Sequence, residues 1–126
     1  MKSEILAICD FAQINVDKLL LIGAFDSLPF EKLPVRYSFW IAARLRFFSE
    51  EKGKHSIEVS IKLPHSDEKI QLVTYERDIS PVSGFWVEQF CAQAALNFIQ
   101  YGAHTVTLSV DRNIVQTLPV TVKEAK

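Results

Sequence analysis

Two aspartates at the ends of apolar runs are the first place where the sequence could hold acid–base chemistry. Asp10 closes one apolar run and Asp26 closes the next. If these runs form a hairpin with its middle near Ile14 and Asn15, the two carboxylates lie roughly 23 Å apart at the rise of a strand. A general acid and a general base need less than half of that distance. The spacing therefore predicts two structural carboxylates and no catalytic pair.

Metal chemistry has little support in the spacing of the usual ligands. The three histidines lack the short spacings of zinc sites and are expected to be solvated at turns and strand starts; they are His55, His65 and His104. Four aspartates fall in or near turns without the D-x-D spacing of a calcium loop, namely Asp17, Asp67, Asp78 and Asp111. We expect no metal site.

Nucleophilic and phosphate chemistry are also disfavoured. Cys9 and Cys91 lie in apolar runs, where a thiol packs as a small hydrophobe, so both are expected to be reduced and buried. The chain has no G-x-S-x-G motif, and its four glycines are not clustered into a phosphate-binding loop. We therefore expect no cofactor and no enzyme activity. A hydrolase assembled from residues distant in sequence is the least favoured alternative.

One predicted strand face carries residues typical of protein interfaces. The segment from Ser38 to Phe48 alternates, which places Trp40, Arg44 and Arg46 on one side with only Ala42 between them. Tryptophan and arginine dominate interface hot spots, and a guanidinium group can stack on an indole ring. The alternative is a solvated sheet face with Trp40 partly under a loop. Trp40, Arg44 and Arg46 are the candidate partner-binding residues.

Strands are predicted to position these residues. Apolar runs and alternation indicate strands at residues 4–11, 19–26, 38–48, 57–63 and 69–75. The first two form a hairpin. Residues 27–34 carry two prolines and predict a loop where the chain crosses from one sheet to another.

Residues 85–101 fit both a helix and a strand. A helical stripe is formed by Val87, Phe90, Cys91, Ala94 and Phe98. The alanine and glutamine content also favours a helix. Against this, every other element is a strand, and a lone helix would have to dock on the edge of the sheets. One short helix within residues 85–96 stays open, with a strand in the second half of the segment.

The last hairpin has a register set by its apolar residues. Pairing Val110 with Ile114 keeps the apolar side chains of both strands on one face. This pairing predicts a three-residue loop, Asp111 to Asn113, with Asn113 in the left-handed conformation.

Several strings in the chain resemble a known family. These are CDFAQ from Cys9, LIGAFD from Leu21, ARLRF, and the closing LNFIQYGAHTVTLSVDRNIVQTLPVTV. They resemble a bacterial and phage-associated family of small domains catalogued only as of unknown function. The chain departs from the usual ending at His104, near an expected aromatic residue, and at Asn113, near an expected glycine. The resemblance implies an immunoglobulin-like or similar β-sandwich and supplies no functional residues.

Composition completes the sequence-based picture. The chain has 126 residues, 48% of them hydrophobic, which predicts one domain over residues 1–126 with an all-β, antiparallel β-sandwich fold. No run is long enough for a membrane helix, and the first residues do not read as a signal peptide, so a soluble cytoplasmic protein is expected. A net charge of -1 gives no general attraction for nucleic acid or anionic lipid.

Two binding functions are carried forward. The first is a non-catalytic module that binds a protein partner or forms a homodimer through a sheet face or edge. The second is a small-ligand or carbohydrate binder that uses loop aromatics, namely Tyr37, Phe85 and Trp86, as stacking platforms.

Overall fold

Nine strands in two stacked sheets build the fold of the computed structural model, which describes residues 1–125. In chain order they are β1 (Lys2–Asn15), β2 (Lys18–Ala24), β3 (Ser27–Phe30), β4 (Val35–Phe48), β5 (Gly53–Lys62), β6 (Lys69–Ile79), β7 (Phe85–Phe98), β8 (Gly102–Val110) and β9 (Asn113–Glu124). The first sheet has the order β2-β1-β4-β7 and the second β3-β9-β8-β5-β6. The predicted all-β sandwich is confirmed, and the immunoglobulin-like topology stays a prediction.

Alternating side chains of the central strands fill the space between the sheets. On β4 the inward side chains are buried; they are Phe39, Ile41, Ala43, Leu45 and Phe47. On β5 and β8 the buried partners are Ile57, Val59, Ile61, Val106 and Leu108. A strand in a sandwich turns every second side chain to the core, so this alternation is what the sequence predicted.

The segment for which a short helix was left open is one continuous strand, β7, so the strand expected in its second half is confirmed and extends over the first half as well. Every residue from Phe85 to Phe98 pairs with β4 without a register shift. Every second side chain from Phe90 to Phe98 points inward, as in the other strands. Glu88 also occupies an inward position, and a charged residue there hides the apolar alternation in the sequence. Within residues 1–125 there is thus no helix long and apolar enough to cross a membrane.

The proline-containing loop is also partly a strand. The chain does cross between the sheets here, as predicted, because β2 belongs to the first sheet and β3 to the second. Residues Ser27–Phe30 pair with β9 in parallel at the edge of the second sheet, the one parallel pairing among the described strands. Pro29 is tolerated because an edge strand leaves one side of its backbone unpaired.

The last hairpin keeps its predicted register but has a tighter turn. Val106 lies opposite Leu118, as the pairing of Val110 with Ile114 implied. A bulge at Leu108 and Ser109 then shifts the register, and Val110 pairs with Asn113. The turn is Asp111–Arg112, with φ of 51° and 68°, so Asn113 is not the left-handed residue. Two positive φ values suit the tight hairpin turn whose twist matches the strands.

Candidate functional site

The first hairpin leaves the first sheet and folds back over its outer face. β1 pairs with β4 only as far as Cys9, opposite Trp40, and then continues with β2 alone. The turn is Val16–Asp17, with φ of 48° and 63°, two residues later than predicted. At this tip the carbonyl of Asp17 accepts a hydrogen bond of 2.9 Å from Nε2 of Gln89 on β7. We call residues 10–22 the arm.

The root of the arm is a close contact between its two strands. The register places Gly23 opposite Asp10, and Gly23 has φ of 71°. A Cβ atom at Gly23 would collide with the carboxylate of Asp10. The 23 Å separation expected for Asp10 and Asp26 therefore rested on a wrong register. Asp10 packs on a glycine, and Asp26 lies beyond β2, where its backbone carbonyl accepts a hydrogen bond from the backbone of Thr121.

A small second core lies beneath the arm. Cys9, Ala12 and Ala42 are buried there, and the half-buried residues around them are Leu19, Leu21, Trp40 and Cys91. Small side chains at Ala12 and Ala42 allow the two layers to approach closely. The expectation of two buried thiols holds for Cys9, whose pKa is raised by burial, while Cys91 is half-buried.

Trp40 is held by this core. It is half-buried, and its ring meets the ring of Phe11 edge to face at 5.6 Å between centroids. The face proposed from sequence is therefore covered in part by the chain's own arm. This arrangement is close to the alternative weighed from the sequence, in which Trp40 is tucked under a loop.

Arg44 and Arg46 are committed to partners within the chain. Their Nε atoms each donate to Glu4 at 2.8 Å, and Arg44 also donates to Oε1 of Gln89 at 2.9 Å. These hydrogen bonds, from Arg46 first and then Arg44, hold the pKa of Glu4 below its usual range. The Arg46 guanidinium also lies 4.6 Å over the ring of Phe85. The two arginines lie on the same sheet face as Trp40, as predicted.

The outer face of the arm is apolar and exposed. Phe11 lies opposite Ile22, and Leu20 follows on the same face. Leu20 is 46% exposed, Ile22 is 54% exposed, and Val16 at the tip is 84% exposed. Contiguous exposed apolar side chains on a folded domain mark interaction sites. Sequence alternation alone missed this surface, because both faces of the arm carry leucine or isoleucine.

A buried carboxylate that the sequence analysis did not single out lies between β6 and β7. Glu88 accepts hydrogen bonds from Tyr75 Oη at 2.9 Å, Arg77 Nε at 3.0 Å and Trp86 Nε1 at 3.0 Å. Burial first, and then the Glu88 carboxylate, raise the pKa of Tyr75. Three donors satisfy the carboxylate, so we assign it a structural role. The one sequence signal for this site was that Glu88 is the single charged residue of its strand.

The three histidines lie in three different surroundings. His55 Nδ1 lies 2.6 Å from Asp111 Oδ2, and His55 Nε2 lies 2.5 Å from the Glu51 carbonyl. Because both partners accept hydrogen bonds, both contacts are satisfied only when both ring nitrogens donate, which favours the charged form of the ring. Burial works against that charge, but the bonds to Glu51 and Asp111 outweigh it and raise the pKa of His55. His65 is exposed in the turn between β5 and β6. His104 is buried, contrary to expectation, and burial lowers the pKa of His104.

The aromatic residues considered for ligand stacking do not share a loop. Tyr37 and Phe85 lie at opposite ends of the β4–β7 ladder, opposite Leu96 and Phe48. Tyr37 packs against Phe25 and Phe30, and Trp86 is bound to Glu88. The four turn aspartates likewise belong to separate turns and strands, and within residues 1–125 no cluster of three or more potential metal ligands occurs.

Comparison with models of known protein families gives a match over most of the chain. A family described as "Family of unknown function (DUF6941)" has a model that matches residues 4–123. No curated protein matches the chain. The matched range contains the arm, the second core beneath it and Glu88.

Proposed function

The chain belongs to the DUF6941 family of unknown function, and we propose that it is a non-catalytic domain that binds a partner protein through the outer face of its arm. The observation that carries this proposal is the exposed apolar surface formed by Leu20 and Ile22, with Val16 at the tip and Phe11, whose ring also contacts Trp40, at its margin. Burying such side chains in an interface contributes roughly 1.5–3 kcal/mol each.

The arm is held in place before any partner arrives. Its inner face packs on Ala42 and Trp40, and its tip is hydrogen-bonded to Gln89. A surface that is ordered in advance loses less conformational entropy on binding. In this proposal Trp40 supports the arm from below, and Arg44 binds the Gln89 side chain that holds the arm tip. Arg46, bound to Glu4, lies outside the partner-binding surface, and the direct contacts are made by the arm.

The non-catalytic part of the proposal rests on where the polar groups point. The buried Glu88 and His104 and the half-buried His55 make their hydrogen bonds to neighbours within the chain. Free Cys9 and Cys91 fit a reducing compartment, which supports a location in the cytoplasm.

Site-specific photocrosslinking in the native host tests the binding surface. A photoreactive amino acid replaces Ile22 on the arm or, as a matched control, Ile114, which is 68% exposed on the second sheet. We expect one discrete protein adduct from position 22 and none from position 114, and the same adduct when the two purified proteins are mixed. Equal adducts at both positions, or none at position 22, would overturn the proposal.

A further inference from the structure

The outer edge of β7 is open to another strand, and we propose that two copies of this chain pair there, β7 against β7, in a symmetric antiparallel dimer. This inference does not use the arm and does not depend on a partner protein. It joins the first sheets of two molecules into one continuous sheet.

β7 presents a long and regular row of unpaired backbone groups. It pairs with β4 over fourteen residues, and it is the last strand of its sheet. Half of the N–H and C=O groups of such a strand point away from the sheet. No bulge twists this edge away from a partner.

The other three terminal strands of the two sheets are protected in ways that β7 is not. β6 carries charges at Lys69, Glu76, Arg77 and Asp78. β3 is four residues long and contains Pro29, and β2 has Gly23 in a left-handed conformation. Charges, proline, shortness and irregular backbone are the usual means by which an edge avoids pairing. β7 has no proline and no glycine, and its one charge, Glu88, points inward to three donors.

The chemistry of this edge suits an identical strand. A two-fold axis brings each side chain near its own copy, and like charges opposite each other are destabilising. Residues 91–97 carry no charge, and three of them are alanines, which let two sandwiches approach closely. The first half of β7 is more crowded, because the arm tip lies on Gln89 and Tyr75 reaches Glu88. We therefore centre the pairing on residues 91–97.

Sedimentation equilibrium of the full chain with two variants tests the dimer. Gln93→Lys adds a charge to the exposed β7 position, and Gln71→Lys adds the same charge to an exposed position on β6. We expect the unmodified chain and Gln71→Lys to be dimers at about 50 µM, and Gln93→Lys to dimerise at least about tenfold more weakly. A monomeric unmodified chain, or equal behaviour of both variants, would contradict the inference.

Hydrogen exchange locates the contact directly. Amides of residues 91–97 that point away from β4 should exchange more slowly at high protein concentration than after dilution, because pairing protects them. Concentration-dependent protection in residues 10–22 in place of residues 91–97 would show that copies meet through the arm, and this would overturn the β7 dimer. Gln93 lies outside the arm, so failure here leaves the arm proposal standing.

Discussion

Among single residues, the buried Glu88 and the half-buried His55 connect separate elements through hydrogen bonds. Glu88 on β7 binds Tyr75 and Arg77 of β6, which joins the two sheets at their open side. His55 at the start of β5 binds Asp111 in the β8–β9 turn. The Glu88 contacts join the two sheets and the His55 contact joins residues 56 positions apart, so removing one partner of either contact should lower stability.

Replacing Glu88 tests the contact between β7 and β6. Glu88→Ala leaves the Tyr75 hydroxyl and the Trp86 N–H without their acceptor inside the sandwich, and a cost of about 2–4 kcal/mol in the free energy of unfolding is expected. Urea denaturation measures it. Glu58→Ala, on the outer face of β5, is the control and should change stability by less than about 0.5 kcal/mol. Similar losses for the two variants would contradict a structural role for Glu88.

The pH dependence of stability tests the contact between His55 and Asp111. The pKa of His55 is raised in the folded chain, so its contribution is complete below the unfolded value of 6.5 and is lost as pH rises through the folded pKa. The unfolding free energy should therefore fall as pH increases above about 6.5. His55→Asn should remove this fall, and His65→Asn, at an exposed turn, should keep it. An unchanged pH profile in His55→Asn would refute the assignment.

Among the elements, the arm depends on the close approach of two strands at its root. Gly23→Ala places a methyl group against the Asp10 carboxylate and is expected to cost about 1–3 kcal/mol, measured by urea denaturation. In an Asp10→Ala background the collision disappears, and only the cost of a left-handed alanine, about 1 kcal/mol, should remain. Equal costs in both backgrounds would mean that Asp10 does not pack on Gly23.

The elements also show how far the sequence could predict the fold. Alternation located β4 and β5 because each has one buried and one more polar face. β7 was ambiguous because the arm covers its outer face, where Val87 and Cys91 are apolar, while Glu88 takes an inward place. Periodicity reports the burial of a face and cannot tell which element covers it.

The candidate site was harder to predict than the fold. Trp40, Arg44 and Arg46 were correctly grouped on one face from their spacing alone. That the arm covers Trp40 depends on where β1 leaves β4 and on two left-handed residues, Val16 and Asp17. Aspartate tolerates that conformation, but a β-branched valine rarely adopts it. Neither feature has a local sequence signal, so the exposed face of the arm became visible only in three dimensions.

In the whole molecule, the two proposed surfaces lie on the same sheet. The arm crosses the outer face of the first sheet and touches Gln89, while the free edge of β7 continues that sheet. A dimer through β7 would carry two arms in a fixed relation. Two linked binding surfaces can bind a repeated or dimeric partner far more tightly than one does.

The affinity of the chain for the purified protein identified by crosslinking tests the central claim most directly. By titration calorimetry, Ile22→Ser should weaken binding by about tenfold to a hundredfold, since the buried isoleucine contributes roughly 1.5–3 kcal/mol. Ile114→Ser should leave the affinity within about twofold, and binding should lower the heat capacity as apolar surface is buried. Equal affinities for the Ile22→Ser and Ile114→Ser chains would contradict binding through the arm.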